Sequence, residues 1–518
     1  MRFHARRSTA WNGLLVMLLA FCVALLAGLL VIKVPPVEGA ALVGLAAVGF
    51  GTLVEPSLGL GAALFLGPLK AYLSAEAPQL PAQVGHVFVA LSLGSWLMRK
   101  LSRRELSINH SPLLGPLLAF VGAALLSQWR AVDLADYGTP ELIKWVEIVL
   151  LVIVVGDELA LKPKTASPRE EDGTRSRRLR WLLVILLGVG LFQAGIGIWQ
   201  FGLRGEGPEH FSILGGDFFR AYGTFEQPNP YGGYLGMTAA VALGVVATGV
   251  WSSLVERDTN GAPRTGPVHS AGCSPIHRPP DLRVCFFAGG AGLVMVIALG
   301  ASWSRGAWMG FAAAVLTMAG ALPRKMWWAV LLVGVLAISG TGVYLSGRLP
   351  TSFAARLISF VRDIRLEDVR GVAISDANYA VIERLAHWQA ALSMFRHNVW
   401  AGVGFGCYEA AYRTFALINW PIALGHAHNY YLNLLAETGL IGLCAYLALW
   451  AVAFWQTWRV TRSARGLTRG VGVGLLGAWT HLSVHHLLDN LYVNNVHLHI
   501  GVLLGLLSFL VRQTNRAA

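Results

Sequence analysis

The chain has 518 residues, 55% hydrophobic and only 13% charged, with a mean hydropathy of +0.55. A soluble globular protein carries about 25% charged residues, so this composition excludes an ordinary soluble enzyme and fits a polytopic membrane protein. The net charge of +13 does not call for nucleic acid, because Lys and Arg of membrane proteins collect in cytoplasmic loops and set orientation.

The N-terminus, "MRFHARRSTAWNGLLVMLLAFCVALLAGLLVIKVPP", begins like a signal peptide. Its apolar run is about 20 residues, too long for a signal-peptide core and right for a spanning helix. It is expected to be an uncleaved first span over 13–33. Further apolar runs follow at 38–54, 57–74, 86–99, 112–129, 142–157, 181–203, 231–251, 284–301, 304–321, 325–346, 429–457, 470–487 and 493–512. By the length rule, and allowing for short Gly-rich runs near 38–99, the expectation is an all-α protein with about 12–14 transmembrane helices. The parts are N-terminal helices over 1–203, central helices over 204–346, one large outer loop over 347–428 carrying amphipathic helices, and C-terminal helices over 429–518.

Orientation follows from the basic residues. With the N-terminus inside and strict alternation, the inside segments hold 26 of the 41 Lys and Arg residues. Short outside segments and span edges hold seven, and the long 347–428 loop, which the positive-inside rule exempts, holds eight. Both termini are then cytoplasmic. The segments 204–230, 347–428 and 488–492 and the turn before Arg305 share the outer face. Of the five cysteines (Cys22, Cys273, Cys285, Cys407, Cys444), only Cys407 lies well outside the membrane on that face. No CxxC pair or metal-ligand spacing occurs, and a structural disulfide is not expected.

The unusual polar residues gather on the outer side. Arg305, in "ALGASWSRGAWMGFAAAVL", is one full charge in an apolar run. An ionised side chain in a span costs several kcal/mol, from about 2.5 upward, so it snorkels to the headgroups or serves a ligand. Near a helix N-terminus, backbone N–H groups would add to its attraction for a phosphate. Arg220 precedes a turn-rich entry to a span, "FFRAYGTFEQPNPYGGYLGM". In the outer loop, "NYAVIERLAHWQAALSMFRHN" places Ile382, Leu385, Ala386, Leu392 and Phe395 near helical spacing, with Glu383 and Arg384 on other faces. It reads as an amphipathic helix on the membrane or over a cavity. "AGVGFG" over 401–406 has no preceding strand and no Lys-Ser/Thr, so it is a glycine-rich turn rather than a nucleotide loop. His426 and His428 open a later span with Asn429 next, and Glu437 lies within it. A histidine titrating near neutrality can act as general base; a buried glutamate needs a partner. His485 and Asp489, four apart, would share a helix face. No spacing in the chain is diagnostic of a metal.

Read in order, "SWSRGAWMG", "RAYGTF", "ERLAHWQAALSMFRHNVWAGVGFGCY" and "HAHNYYLNLLAETGLIGL" resemble the O-antigen ligase and polymerase superfamily. The resemblance covers roughly 200–460. It implies a membrane glycosyltransferase on the outer face of the bacterial inner membrane, acting in cell-surface polysaccharide biosynthesis. The donor would be a glycan on undecaprenyl diphosphate and the acceptor a saccharide or lipid-linked hydroxyl, with membrane lipids around it and no nucleic acid, metal or cofactor. Carried onto this chain, the resemblance assigns Arg220, Arg305 and Arg384 to the diphosphate. His428 or His426 is the base, with His428 favoured because Asn429 follows it. Asn429, Glu437 and Asp489 would support the site. Some superfamily members are labelled bicarbonate transporters. That activity would want ionisable residues near the bilayer midplane and a repeat between the halves; the sequence shows no such repeat.

Overall fold

The computed structural model describes residues 36–78, 82–105, 111–161, 168–255, 282–347, 368–375 and 378–517. The expected first span at 13–33, most of the loop at 252–283, and residues 348–367 of the large loop lie outside the described residues. What is described is helical apart from one short hairpin, as an all-α polytopic protein requires. The helices are α1 (Pro36–Val54), α2 (Pro56–Leu66), α3 (Lys70–Glu76), α4 (Val84–Arg103), α5 (Leu114–Ser127), α6 (Thr139–Ala160) and α7 (Pro168–Ile198). The hairpin pairs β1 (Ser212–Ile213) with β2 (Phe218–Phe219), Ser212 opposite Phe219. Then come α8 (Pro228–Val255), α9 (Leu282–Ala301), α10 (Arg305–Ala321), α11 (Met326–Leu345), α12 (Tyr379–His397), α13 (Tyr408–Phe415), α14 (Tyr430–Ser463), α15 (Gly466–His485) and α16 (Val496–Ala517).

Every apolar run that falls on described residues overlies one of these helices. Among the described residues, seven helical stretches are long and apolar enough to cross a membrane, by length and composition. The smaller number has a physical reason. Several runs make helices that are too short, or that carry too many charges, to meet that standard; α10, for example, has 17 residues.

The chain divides into two units. Of the described residues, the smaller comprises those up to 62 together with 87–105, and the larger comprises the rest. Within the smaller unit, Ser95 Oγ donates to the Leu53 carbonyl (2.9 Å), and a Cβ on Gly59 would fall 2.3 Å from Ser92 Oγ.

In the larger unit, α8 and α15 approach backbone to backbone through glycines. A Cβ on Gly244 would fall 2.2 Å from the Gly474 nitrogen, and one on Gly474 2.6 Å from Val241 Cα. Small residues permit such close helix contact in an apolar medium, where packing rather than water exclusion drives association. The pairing of α8 with α15 sets the ends of both helices beside the start of α10.

α14 is broken rather than continuous. Gly439 sits at φ +62°, ψ −160° inside it. The loop 399–404 inserts its backbone there: Val403 and Gly404 N–H donate to the Ala436 and Glu437 carbonyls (3.0 and 2.9 Å), and Leu440 N–H donates to the Val399 carbonyl (2.9 Å). The groups freed by the break are thus re-paired within the protein, as an apolar setting demands. The glycine-rich turn expected at 401–406 has this task. Gly402 and Gly439 both have positive φ, and a Cβ on either would come within 2.3 Å of the opposing backbone.

α12 forms as the periodicity predicts, but its apolar face meets protein. Ile382, Leu385 and Ala386 are buried, with Val381, Ala390 and Met394 beside them, against α13 and α14. Leu392 and Phe395 are half-buried.

Candidate active site

The arginine side is built from the 220–225 turn. Two buried glutamines hold this turn: Gln200 Oε1 accepts the N–H groups of Tyr222 (3.2 Å) and Gly223 (2.7 Å), and Gln193 Nε2 donates to Thr224 Oγ1 (2.8 Å). Ala221 N–H donates to the Ala301 carbonyl (2.9 Å), which ties the turn to the end of α9. Arg220 then reaches forward. Its Nε donates to the Ser302 carbonyl (3.1 Å), a second guanidinium N–H donates to Asn229 Oδ1 (3.2 Å), and the group lies 6.0 Å from the Phe211 ring centroid.

Ser302 belongs to the sharp turn that launches α10. Trp303 takes φ +54°, and Ser304 caps the helix by accepting the Ala307 N–H (3.4 Å). Arg305 is the first residue of α10 and is half-buried. The helix therefore starts at the charge, and the runs read at 284–301 and 304–321 are two helices meeting at a capped turn. Arg220 and Arg305 come to that same turn from two elements.

The histidine side joins three elements: α12, the 426–428 turn, and the turn after α15. His428 has φ +53°, a conformation uncommon for a residue with a side chain. Its N–H donates to His426 Nδ1 (3.0 Å). His426 is therefore the Nε2–H tautomer when neutral, and that nitrogen lies 3.4 Å from Asp489 Oδ1. His428 Nδ1 lies 3.9 Å from the same oxygen, buried and without a hydrogen-bond partner among the described residues. His387 on α12 meets His428 edge-on with ring centroids 5.9 Å apart. The Tyr408 hydroxyl donates to the His387 carbonyl (3.1 Å) and so receives the His387 Nδ1 proton (3.0 Å).

The electrostatics follow from burial. Burial pushes the His428 imidazole well below its usual range, and the neighbouring His426 and Arg384 add to the effect while Asp489 opposes it. His426 is lowered for the same first reason. His387 is pushed down to about 4 by burial and by His426. Burial alone would raise Asp489, but His426, His428 and Arg384 together hold its carboxyl below the ordinary carboxylate range. Arg384 is half-buried on α12 and is the cation common to His426, His428 and Asp489.

The end of α15 lies between the two sides. A Cβ on Gly306, next to Arg305, would fall 2.8 Å from the His485 ring and 3.5 Å from Leu488. A Cβ on Gly233 of α8 would fall 3.2 Å from His485 Nδ1. The expectation that His485 and Asp489 share a helix face is corrected here. α15 ends at His485, and Asp489 lies in the following turn with its N–H donated back to the His485 carbonyl (3.1 Å). That turn carries Asp489 away from the helix and under His426 and His428.

Two supporting residues have backbone partners. Asn429 caps α14, accepting the Leu432 N–H (3.1 Å). Glu437 accepts the Tyr408 N–H (3.1 Å) at the start of α13, so the partner that a buried glutamate needs is the end of the glycine-rich loop. His387 escaped the sequence reading; the only signal was a histidine on the apolar stripe of α12, which reads as core. A second group, His86, Glu147 and His497, was missed altogether because its members are scattered over three helices.

The nitrogen and oxygen atoms of His426, His428 and Asp489 all lie within 4.8 Å of one another, a spacing that could also hold a metal ion.

With seven helical stretches long and apolar enough to cross a membrane among the described residues, the fold is that of a multi-pass membrane protein. Residues 290–447 match the family described as O-antigen ligase, in line with the superfamily that the sequence resembles. The match contains Arg305, Arg384, His426, His428, Asn429 and Glu437; Arg220 and Asp489 lie on either side of it. No curated protein matches the chain.

Proposed function

We propose that the protein transfers a glycan from undecaprenyl diphosphate to an acceptor hydroxyl on the outer face of the bacterial inner membrane. Both termini are then cytoplasmic, in keeping with the distribution of basic residues. The acceptor oxygen attacks the anomeric carbon while His428 takes its proton. The bond from that carbon to the diphosphate oxygen breaks, and undecaprenyl diphosphate leaves. Arg305, Arg220 and Arg384 stabilise the charge that develops on the leaving diphosphate. Guanidinium groups suit this task because they stay charged and match phosphate oxygens in pairs, and stabilising developing charge is usually the larger part of the catalytic work. No metal takes part in this scheme.

The observation that carries the proposal is the state of His428. Its buried Nδ1 makes no hydrogen bond among the described residues and lies 3.9 Å from an ionised Asp489, which can stabilise the imidazolium once the other ring nitrogen takes the proton. His426, by contrast, already uses Nδ1 as an acceptor and directs Nε2 at Asp489. Asp489 and His426 therefore position, and His428 acts. The bicarbonate-transporter alternative has no comparable support, and the match to the O-antigen ligase family does not favour it.

The test is glycan transfer from undecaprenyl diphosphate in proteoliposomes, comparing wild type with Arg305→Ala and Arg220→Ala. Loss of transfer in both, with normal protein levels, supports the assignment. Unchanged transfer in both removes the diphosphate role, and bicarbonate uptake without transfer favours the transporter.

A further inference from the structure

Away from the proposed active site, the larger unit holds a second group of two histidines and a carboxylate. His86 comes from the start of α4, Glu147 from α6 and His497 from the start of α16. Glu147 Oε1 lies 2.7 Å from His86 Nδ1, and its Oε2 lies 2.9 Å from His497 Nε2. All three ligand atoms fall within 4.8 Å of one another. The imidazoles stack with centroids 5.6 Å apart, at 25° to each other.

We propose that His86, Glu147 and His497 form a binding site for a divalent transition-metal ion of the zinc class. The donor types are those that borderline ions prefer, and two imidazoles with one carboxylate is a recurrent three-ligand set that leaves a fourth position open. The surroundings fit as well. A metal-bound histidine commonly donates its other ring N–H to a carbonyl oxygen, which fixes the ring. His86 Nε2 lies 3.0 Å from Asn495 Oδ1, so Nδ1 is the nitrogen turned toward the ion. Two more buried polar atoms at the cluster, His497 Nδ1 and Asn495 Nδ2, have no hydrogen-bond partner among the described residues. Orphaned polar atoms in a buried cluster commonly mark a bound water or ion.

The nearest cation that would oppose the ion is Lys144, one turn before Glu147. It is engaged elsewhere: its ammonium lies 2.5 Å from Glu141 and 3.3 Å from the Tyr492 carbonyl. His497 is fully buried while His86 is about one quarter exposed, which gives the ion a way in at one side only. Within the larger unit, the ion would join His86, α6 and α16 and fix Asn495, the last residue of the turn that also carries Asp489.

The test uses the full-length protein in detergent, stripped with a chelator and then titrated with zinc chloride, and separately with cobalt(II) for its visible absorption. Wild type is expected to take up one ion per chain at this site, with a tetrahedral cobalt spectrum. Glu147→Gln and His497→Ala should lose that ion, and Asn495→Ala should weaken it by about 10–100-fold. Because substitutions at the buried positions can impair folding, His86→Gln at the exposed edge is a further variant with the same expected loss. Asp489→Asn should keep the ion. The proposal is overturned if folded wild type binds no ion, if His86→Gln binds as wild type does, or if binding is lost in Asp489→Asn alone, which would move the ion to His426 and His428.

Discussion

The segment 486–495 lies between two groups of identical composition, two histidines and a carboxylate each, that differ in how tightly they are held. On one side Glu147 grips His86 and His497 at 2.7 and 2.9 Å, and Asn495 holds His86 from behind at 3.0 Å. On the other, Asp489 stands 3.4 Å from His426 and 3.9 Å from His428, and His428 Nδ1 has no hydrogen bond among the described residues. The residue types alone would give both groups the same role. The distances separate them: the first is drawn tightly around Glu147, as suits three ligands gathered about an ion, and the second leaves His428 Nδ1 without a hydrogen bond. A general base must be positioned yet uncommitted, and only the second group meets that condition.

The comparison can be broken most directly at His428. His428→Ala should lower transfer by ~10²–10⁴-fold, the usual contribution of a positioned base, whereas Glu147→Gln should act mainly on stability. Equal loss of transfer per folded molecule in both would erase the distinction. Next in size is Arg305→Ala, expected to cost ~10²–10³-fold, as for removal of one donor from a charge-stabilising site. Arg305→Lys should recover only part of this, because an ammonium cannot fork across two phosphate oxygens. Steady-state rates with a defined lipid-linked donor read both.

The acidity of the site sharpens the comparison further. Burial, His426 and Arg384 hold the His428 imidazole below its ordinary range, so it remains an unprotonated base as pH falls through the range where an exposed histidine takes up its proton. The acid limb of the transfer-rate profile should therefore lie below that of an exposed histidine. Asp489→Asn removes the anion that favours the imidazolium and should move the limb further down. Arg384→Ala removes a repelling charge and should move it up. Shifts of opposite sign would contradict the assignment.

Smaller effects concern the frame. Gly439→Ala should destabilise the protein by about 1–3 kcal/mol from backbone strain alone, with more from the contact that its Cβ would make with the 400–401 backbone. The midpoint of thermal unfolding in detergent measures it. Asn429→Ala removes the cap of α14 and should cost about 1 kcal/mol.

Much of this was legible in the sequence because membrane proteins separate their residue types so sharply. The apolar runs gave the helices, and Arg220, Arg305, Arg384, His426 and His428 stood out because charge and imidazole are costly near a bilayer. What stayed hidden was long-range. That Asp489 approaches His426 and His428 depends on α15 ending at His485, which no local signal announces. That Glu437 serves the backbone of α13 depends on a break at Gly439 that the run "AETGLIGLCAYL" conceals. His387 sits on an apolar stripe and reads as core, and His86, Glu147 and His497 are joined only by the packing of three helices.

The central claim is that His428, and not its neighbour His426, takes the acceptor proton. Single-turnover transfer from undecaprenyl-diphosphate-linked glycan, measured in proteoliposomes for His428→Ala and His426→Ala side by side, tests it most directly. The account predicts the larger loss by far in His428→Ala, with His426→Ala retaining slow transfer whose pH profile is displaced. Near-normal transfer in His428→Ala, or a loss confined to His426→Ala, would contradict it.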